Sequence, residues 1–317
     1  MTRRHPRPLA RRGSACAVAL VGLSLVAAAC SSSSKSASTT TTATTTPTTS
    51  ATTTARGSGP VDVLYAGSLA NVMEKQIGPG FQAATGYTFT GTSGDSGALA
   101  TAIKGKVQVG DVYISANPTK DVGLEGAANG NWVSWYATFA SSPLVLGYNP
   151  SSKFAADLKT KPWYQVLTEQ GILIGRTDPT TDPKGQLSVE ALNQTATAHN
   201  LPALKAIGTS SNNVYPENTL VGRLQAKQLD VGFFYAAEAK AANIPTVPIT
   251  GVSLAAMYTV TVLKNAPHDA GAQAFVSYLL GAGAKPALES DGFSLVTPPT
   301  VSGTGAPAGL QHVLPAA

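Results

Sequence analysis

Beyond residue 60 the chain alternates short apolar runs with stretches of helical periodicity. VDVLYAGSL (61–69) is a β-rich run ending in Gly-Ser, and LANVMEKQIGPGFQAATG follows with apolar residues at helical spacing. YTFTGT (87–92) predicts a strand, SGALATAIKG (96–105) a short helix and VGDVYISAN (109–117) a third strand. Strand and helix taken in turn predict a parallel sheet with crossover helices. SPLVLGYNP (142–150) predicts another buried strand.

The second half keeps the rhythm. GILIGRT (171–177) predicts a strand, and KGQLSVEALNQTATAHN (184–200) a helix after the turn DPTTDPKG. PENTLVGRLQAKQ (216–228) predicts a helix, LDVGFFYAAEAKAAN (229–243) a strand running into a helix, and AAMYTVTVLKN (255–265) a strand. Residues 269–293 predict helix with a break near Gly281 and Gly283. No repeat of solenoid length occurs. The class is α/β. The run from Pro60 to about Thr300 suffices for one large domain or two lobes, and 301–317 predicts a flexible tail.

Both composition and charge change along the chain. Met1 to Arg12 hold five arginines and no acid, an uncharged run follows from Gly13 to Ala29, and then comes Cys30. This predicts a secretory signal over 1–29, too short for a bilayer span. LVAAAC (25–30) resembles a bacterial lipobox, which implies lipidation of Cys30 and anchoring at a membrane face; an ordinary cleaved signal is the alternative. Residues 31–59 are almost entirely Ser, Thr and Ala with one proline, with too little apolar surface to offset the entropy of ordering, and predict a disordered tether. Of the 22 Lys and Arg, seven precede residue 60, whereas all 17 acids follow it, so the folded part is slightly acidic. That balance argues against nucleic acid as a partner. Cys16 and Cys30 are the only cysteines, which leaves the folded part without disulfide or thiol chemistry.

Four predicted strand-to-helix junctions carry small hydroxyl or acidic residues: Gly67-Ser68, Ser93 to Ser96, Asp182 to Gly185, and Pro216-Glu217. Ligands of open α/β sheets collect where strands end and helices begin, and helix N-termini bind anions through unpaired N–H groups. Taken alone, each Ser or Asp suits capping of its own helix better than a ligand site, and only several such junctions together point to a site. Gly94-Asp95-Ser96-Gly97 has the residues that surround the nucleophile of trypsin-like proteases. The histidine base of that triad lies upstream of the serine, and here the one upstream histidine, His5, falls in the signal. Ser96 is therefore read as a residue of a turn. Neither a His-x-x-x-His pair nor a Walker phosphate loop is present, and nothing points to an enzyme.

VLYAGSLANVMEKQIGPGFQAATG, SGDSGALATAI, GDVYISAN, GRTDPTTDPKGQ, LDVGFFY and DGFSLVTPP resemble, in order, the extracytoplasmic molybdate/tungstate-binding proteins of ABC importers, with the Asp-Pro-x-Gly turn closer to the archaeal-type branch. The resemblance spans about 61–300. It implies a type II periplasmic binding-protein fold, two α/β lobes joined by two crossing strands near 142–150 and 255–264. Lobe one is then about 60–141 with 258–300, and lobe two about 145–250. It implies a monomeric receptor, outside the membrane, that needs no cofactor and passes molybdate or tungstate to a membrane permease.

By the same resemblance, Ser68 and Ser96 hold the anion through hydroxyl and backbone N–H groups, Lys184 contacts it through its backbone N–H, and the Tyr235 hydroxyl donates to an anion oxygen. Asp182 and Glu217 match the carboxylates of the tungstate-type branch, and Gln186 stands where that branch usually has an aromatic. No lysine or arginine side chain is required. Two carboxylates beside an unprotonated dianion need an explanation. They either ligate the metal directly and raise its coordination from four to six, face away to orient loops, or accept a proton carried by an anion such as hydrogen phosphate. Asp182 as a helix cap and Glu217 as a first-turn acid remain open. The rival functions are binding of phosphate or sulfate, or an exported protein without a transport role on the same fold.

Overall fold

The computed structural model describes residues 56–315. The expected signal, Cys30 and nearly all of the expected tether lie outside the described residues.

β1 (Pro60–Ala66) is flanked by β2 (Thr88–Gly94) and β3 (Val112–Ser115), both parallel to it. Its last four residues are all buried, as a central parallel strand covered on both faces requires. β3 pairs antiparallel with β8 (Ala255–Val262), and β8 pairs with β4 (Trp135–Tyr148). β4 then leads to β6 (Val231–Tyr235), which pairs in parallel with the short β5 (Ile174–Gly175). β7 (Thr246–Pro248) and β9 (Ser294–Gly303) pair with opposite ends of β4.

β4 is the joint of the molecule. Up to Pro143 it pairs with β8, and from Leu144 to Tyr148 it pairs with β6. The sequence reading started this strand at 142, seven residues after its true beginning at Trp135. The structure keeps the strand through the proline, which lacks an N–H, at the place where β4 changes partners. Ser142 is buried there, and its hydroxyl oxygen accepts the Ala237 N–H at 3.0 Å.

Residues 301–315 correct the expected flexible tail. β9 runs on to Gly303, pairing Val301, Ser302 and Gly303 with Ala137, Tyr136 and Trp135. A short 3-10 turn, Ala308–Leu310, buries Leu310 completely. Small residues and Pro298-Pro299 hid this strand. The prolines fall between its two paired ends, where the ladder register shifts.

The helices pack around these strands. Gly67 to Thr85 is helical in successive 3-10, α, π and α segments and ends at Gly86, whose φ of 87° places it in the left-handed region. One large apolar cluster runs through the described residues, from Phe81 and Phe275 in one half to Phe233 and Leu192 in the other. No helix among the described residues is long and apolar enough to cross a membrane.

Candidate functional site

Buried polar residues gather where the strands end. β1 delivers Gly67 and Ser68, and β2 delivers Asp95 and Ser96 at the start of the Ser96–Lys104 helix. From the other half come Asp182 at the start of the Pro183–His199 helix, Glu217 opening the Glu217–Gln225 helix, and Tyr235 ending β6. Ser68, Ser96, Asp182, Lys184, Glu217 and Tyr235 are all buried. Carboxylate oxygens of Asp95, Asp182 and Glu217 lie within 4.8 Å of one another.

Asp182 does two things at once. Oδ1 accepts from the Thr177 hydroxyl at 2.7 Å and from the N–H groups of Lys184 and Gly185 at 2.8 and 3.2 Å, capping the helix. Oδ2 is buried and finds no N–H or hydroxyl donor; only the Glu217 carboxyl meets it. The cap and the ligand readings therefore both fit, one for each oxygen.

Glu217 crosses between the halves. Its Oε2 accepts the Gly67 N–H at 2.8 Å and its Oε1 the Ser68 N–H at 3.1 Å. Two free amides at a helix start form a cradle for an oxyanion, and here the Glu217 carboxyl group occupies it. Burial, and next the Asp182 charge, push the Glu217 carboxyl well above the ordinary range against the pull of Lys184.

The Lys184 N–H donates to Asp182 Oδ1 in this structure, and its ammonium reaches the carboxylates of the site as well. Nζ donates to both Glu238 oxygens at 2.8 Å and lies 3.4 Å from Glu217 Oε1. Burial alone lowers the pKa of this lysine, but Glu238, Glu217 and Asp182 outweigh it and hold the group charged. A basic side chain thus lies beside the carboxylates of the site, paired with Glu238.

The hydroxyls are set as donors. The Ala116 N–H donates to Ser96 Oγ at 3.2 Å, and the Tyr258 hydroxyl donates to Ser68 Oγ at 3.1 Å. Each serine oxygen already accepts one bond, which leaves its own proton for another group. Tyr235 Oη is buried with no partner. Burial first, and then the surrounding carboxylates, raise the Tyr235 phenol far above its ordinary value, so it stays protonated.

Sequence reasoning missed three residues. Asp95 lies in the Gly-Asp-Ser-Gly stretch set aside as a turn; burial and then Asp182 raise its carboxyl, opposed by the Thr181 hydroxyl and the Glu217 N–H. Glu238 sits three residues after Tyr235 and accepts its N–H at 3.3 Å, a helix-start spacing that could have flagged it. Tyr258 lies within an apolar strand and carries no signal. Next to Glu217, a cavity of about 520 Å³ lined by Asn71, Asn218, Gln225 and Asn243 leads outward.

Two α/β halves sharing one long strand, with buried donors and carboxylates facing each other between them, are the architecture of a solute trap. The chain has the type II periplasmic binding-protein fold: it superposes with a TM-score of 0.59 on the periplasmic molybdate-binding protein of Azotobacter vinelandii, at 21% identity over 74% of this chain and 99% of that one. Iron-bound HitA of Pseudomonas aeruginosa gives a TM-score of 0.52 at 20% identity, over 78% of this chain and 89% of that one. Residues 61–294 match the family described as bacterial extracellular solute-binding protein, and the chain belongs to that family. Among its curated relatives, a putative ABC transporter molybdenum-binding protein of Haloferax volcanii is 28% identical over 222 residues, 69% of this chain and 66% of the relative. The molybdate/tungstate-binding protein WtpA of Thermococcus kodakarensis is 24% identical over 225 residues, 55% of this chain and 64% of the relative. Both matches span just under two thirds of the relative's length.

Proposed function

We propose that this protein captures molybdate or tungstate between its two halves and delivers it to the permease of an ABC importer. One observation carries the reading: Tyr235 Oη is buried without a partner in the protein, and Asp182 Oδ2 beside it is buried with only the Glu217 carboxyl to meet it. Buried polar groups are ordinarily paired, so a ligand seated here is expected to offer an acceptor to the phenol and a proton or an electron-poor centre to the carboxylate oxygen. An oxometalate offers both, through its oxo oxygens and through its metal. Sulfate offers only the first. The names of the Haloferax and Thermococcus relatives support the same ligand class.

In this reading Ser68, Ser96 and Tyr235 donate to oxo oxygens, while Asp182 Oδ2 ligates the metal. Glu217 supplies the second carboxylate by turning out of its amide cradle, which frees the Gly67 and Ser68 N–H groups for another oxo oxygen. Lys184 offsets the accumulated negative charge without touching the ligand. The protein works as a lipid-anchored monomer through Cys30, outside the cell membrane, with no cofactor and no catalytic step. Hydrogen phosphate could satisfy the same two orphan atoms through its proton, so it is the rival to exclude. Titration calorimetry with molybdate, tungstate, sulfate and phosphate decides between them, and phosphate or sulfate binding more tightly than both oxometalates overturns the assignment.

A further inference from the structure

We propose that Asp95 is a positioning residue that latches the two halves together over the ligand, with Gly97 providing the clearance that lets it engage. The inference rests on the solute-trapping reading above, but not on which oxyanion is trapped.

Asp95 occupies the N-cap position of the Ser96–Lys104 helix yet makes no side-chain cap bond to it. Such a cap ordinarily stabilises its own helix. Here both oxygens reach the opposite half instead. Oδ2 accepts the Thr181 hydroxyl at 2.9 Å, and Oδ1 accepts the Glu217 N–H at 3.4 Å. Thr181 adjoins Asp182, and Glu217 is the other carboxylate of the site. One side chain thus holds both carboxylate-bearing segments in register.

Gly97 completes the arrangement. Its N–H donates to the Thr181 carbonyl at 2.7 Å, and a Cβ at this position would lie 2.5 Å from that same oxygen. The obstacle is backbone and cannot swing aside. Gly97 lies within a helix and outside the left-handed region, so alanine suits its local conformation better than glycine does. Only the approach of the opposite half requires glycine there. The Gly-Asp-Ser-Gly stretch is thereby accounted for: Asp95 latches, Ser96 donates to the ligand and Gly97 makes room.

The test compares the parent mature protein with Asp95→Ala, Asp95→Asn and Gly97→Ala by amide hydrogen exchange without ligand and by the rate of tungstate release. In Asp95→Ala and Gly97→Ala, peptides containing Gly67, Ser68 and Glu217 are expected to exchange about tenfold faster, with β1 and β6 unchanged, and tungstate to leave about tenfold faster. Asp95→Asn retains one acceptor oxygen and is expected to fall between parent and Asp95→Ala. Gly97→Ala removes no polar group and guards against a simple folding defect in Asp95→Ala. Parental exchange and parental release in Gly97→Ala overturn the latch. A parent that binds neither tungstate nor molybdate overturns the oxometalate assignment instead, and the exchange measurement then decides the latch alone.

Discussion

Lys184 Nζ lies 2.8 Å from both carboxylate oxygens of Glu238, and the two side chains are 0% and 6% exposed. A buried ion pair of this geometry adds modestly to stability when intact, but breaking it leaves a charge in a poorly solvated place. Lys184→Met is expected to destabilise the fold by about 3–5 kcal/mol, read as a lowered midpoint in urea unfolding. Lys184→Met combined with Glu238→Leu is expected to recover much of that loss. A single variant as stable as the parent would show that Glu238 is solvated or protonated.

Ser68→Ala and Ser96→Ala each delete a hydroxyl donor inside a closed cleft. Each is expected to weaken tungstate binding by about 1–3 kcal/mol in calorimetry. Each variant also strands a buried donor, the Ala116 N–H beside Ser96 and the Tyr258 hydroxyl beside Ser68, so the ligand-free protein is expected to lose about 1–3 kcal/mol of stability as well, read by urea unfolding.

Tyr258→Phe tests the setting of the Ser68 proton from outside the ligand shell. The Tyr258 hydroxyl donates to Ser68 Oγ, so its loss lets Ser68 turn its proton elsewhere. Affinity is expected to fall by about 1 kcal/mol. Calorimetry showing no change beside a weakened Ser68→Ala would mean that Ser68 is oriented by the ligand itself.

Asp182→Asn separates ligation from capping. Asparagine caps helices about as well as aspartate, so the Pro183–His199 helix should keep its stability. X-ray absorption on the tungstate-loaded protein is expected to report six ligands in the parent and fewer in Asp182→Asn. Four oxygens in both would make Asp182 an orienting group only.

Asp121 gives the expected dependence of stability on pH. Burial raises its carboxyl from the usual range to about 7, against the bond from the Thr259 hydroxyl, with Glu125 adding to the rise and Tyr113 as a further titratable neighbour. Between about pH 4 and pH 7 the folded protein then keeps a proton that the unfolded chain has lost. This group's contribution therefore favours the fold at low pH, falls as pH rises through that window, and is level above it. Asp121→Asn is expected to flatten this part of the stability profile measured by denaturant titration.

The helix-sheet rhythm and the junctions at 67–68, 93–96, 182–185 and 216–217 could be read from the chain because they depend on local spacing and capping chemistry. Those junctions do meet: Glu217 accepts the Gly67 and Ser68 N–H groups, and Asp95 lies against Thr181 and Glu217. The 135–141 portion of β4, WYATFAS, is rich in strand formers and was legible but not read. β9 was not, because Pro298-Pro299 and its small residues carry a turn signal that only pairing with distant strands overrides. The burial of Leu310 follows for the same reason, since a terminal leucine has no local period to report.

The amino-acid sequence by itself determined which side chains arrive at the strand ends, since hydrophobic period and helix-start residues act over a few positions. Only the tertiary structure decided what those side chains do. It placed the Lys184 ammonium against Glu238, gave Asp95 to the opposite half and laid Glu217 across the Gly67 and Ser68 amides. These roles depend on burial and on partners far away in the chain, which set the strength of a charge or a hydrogen bond and which no local pattern encodes.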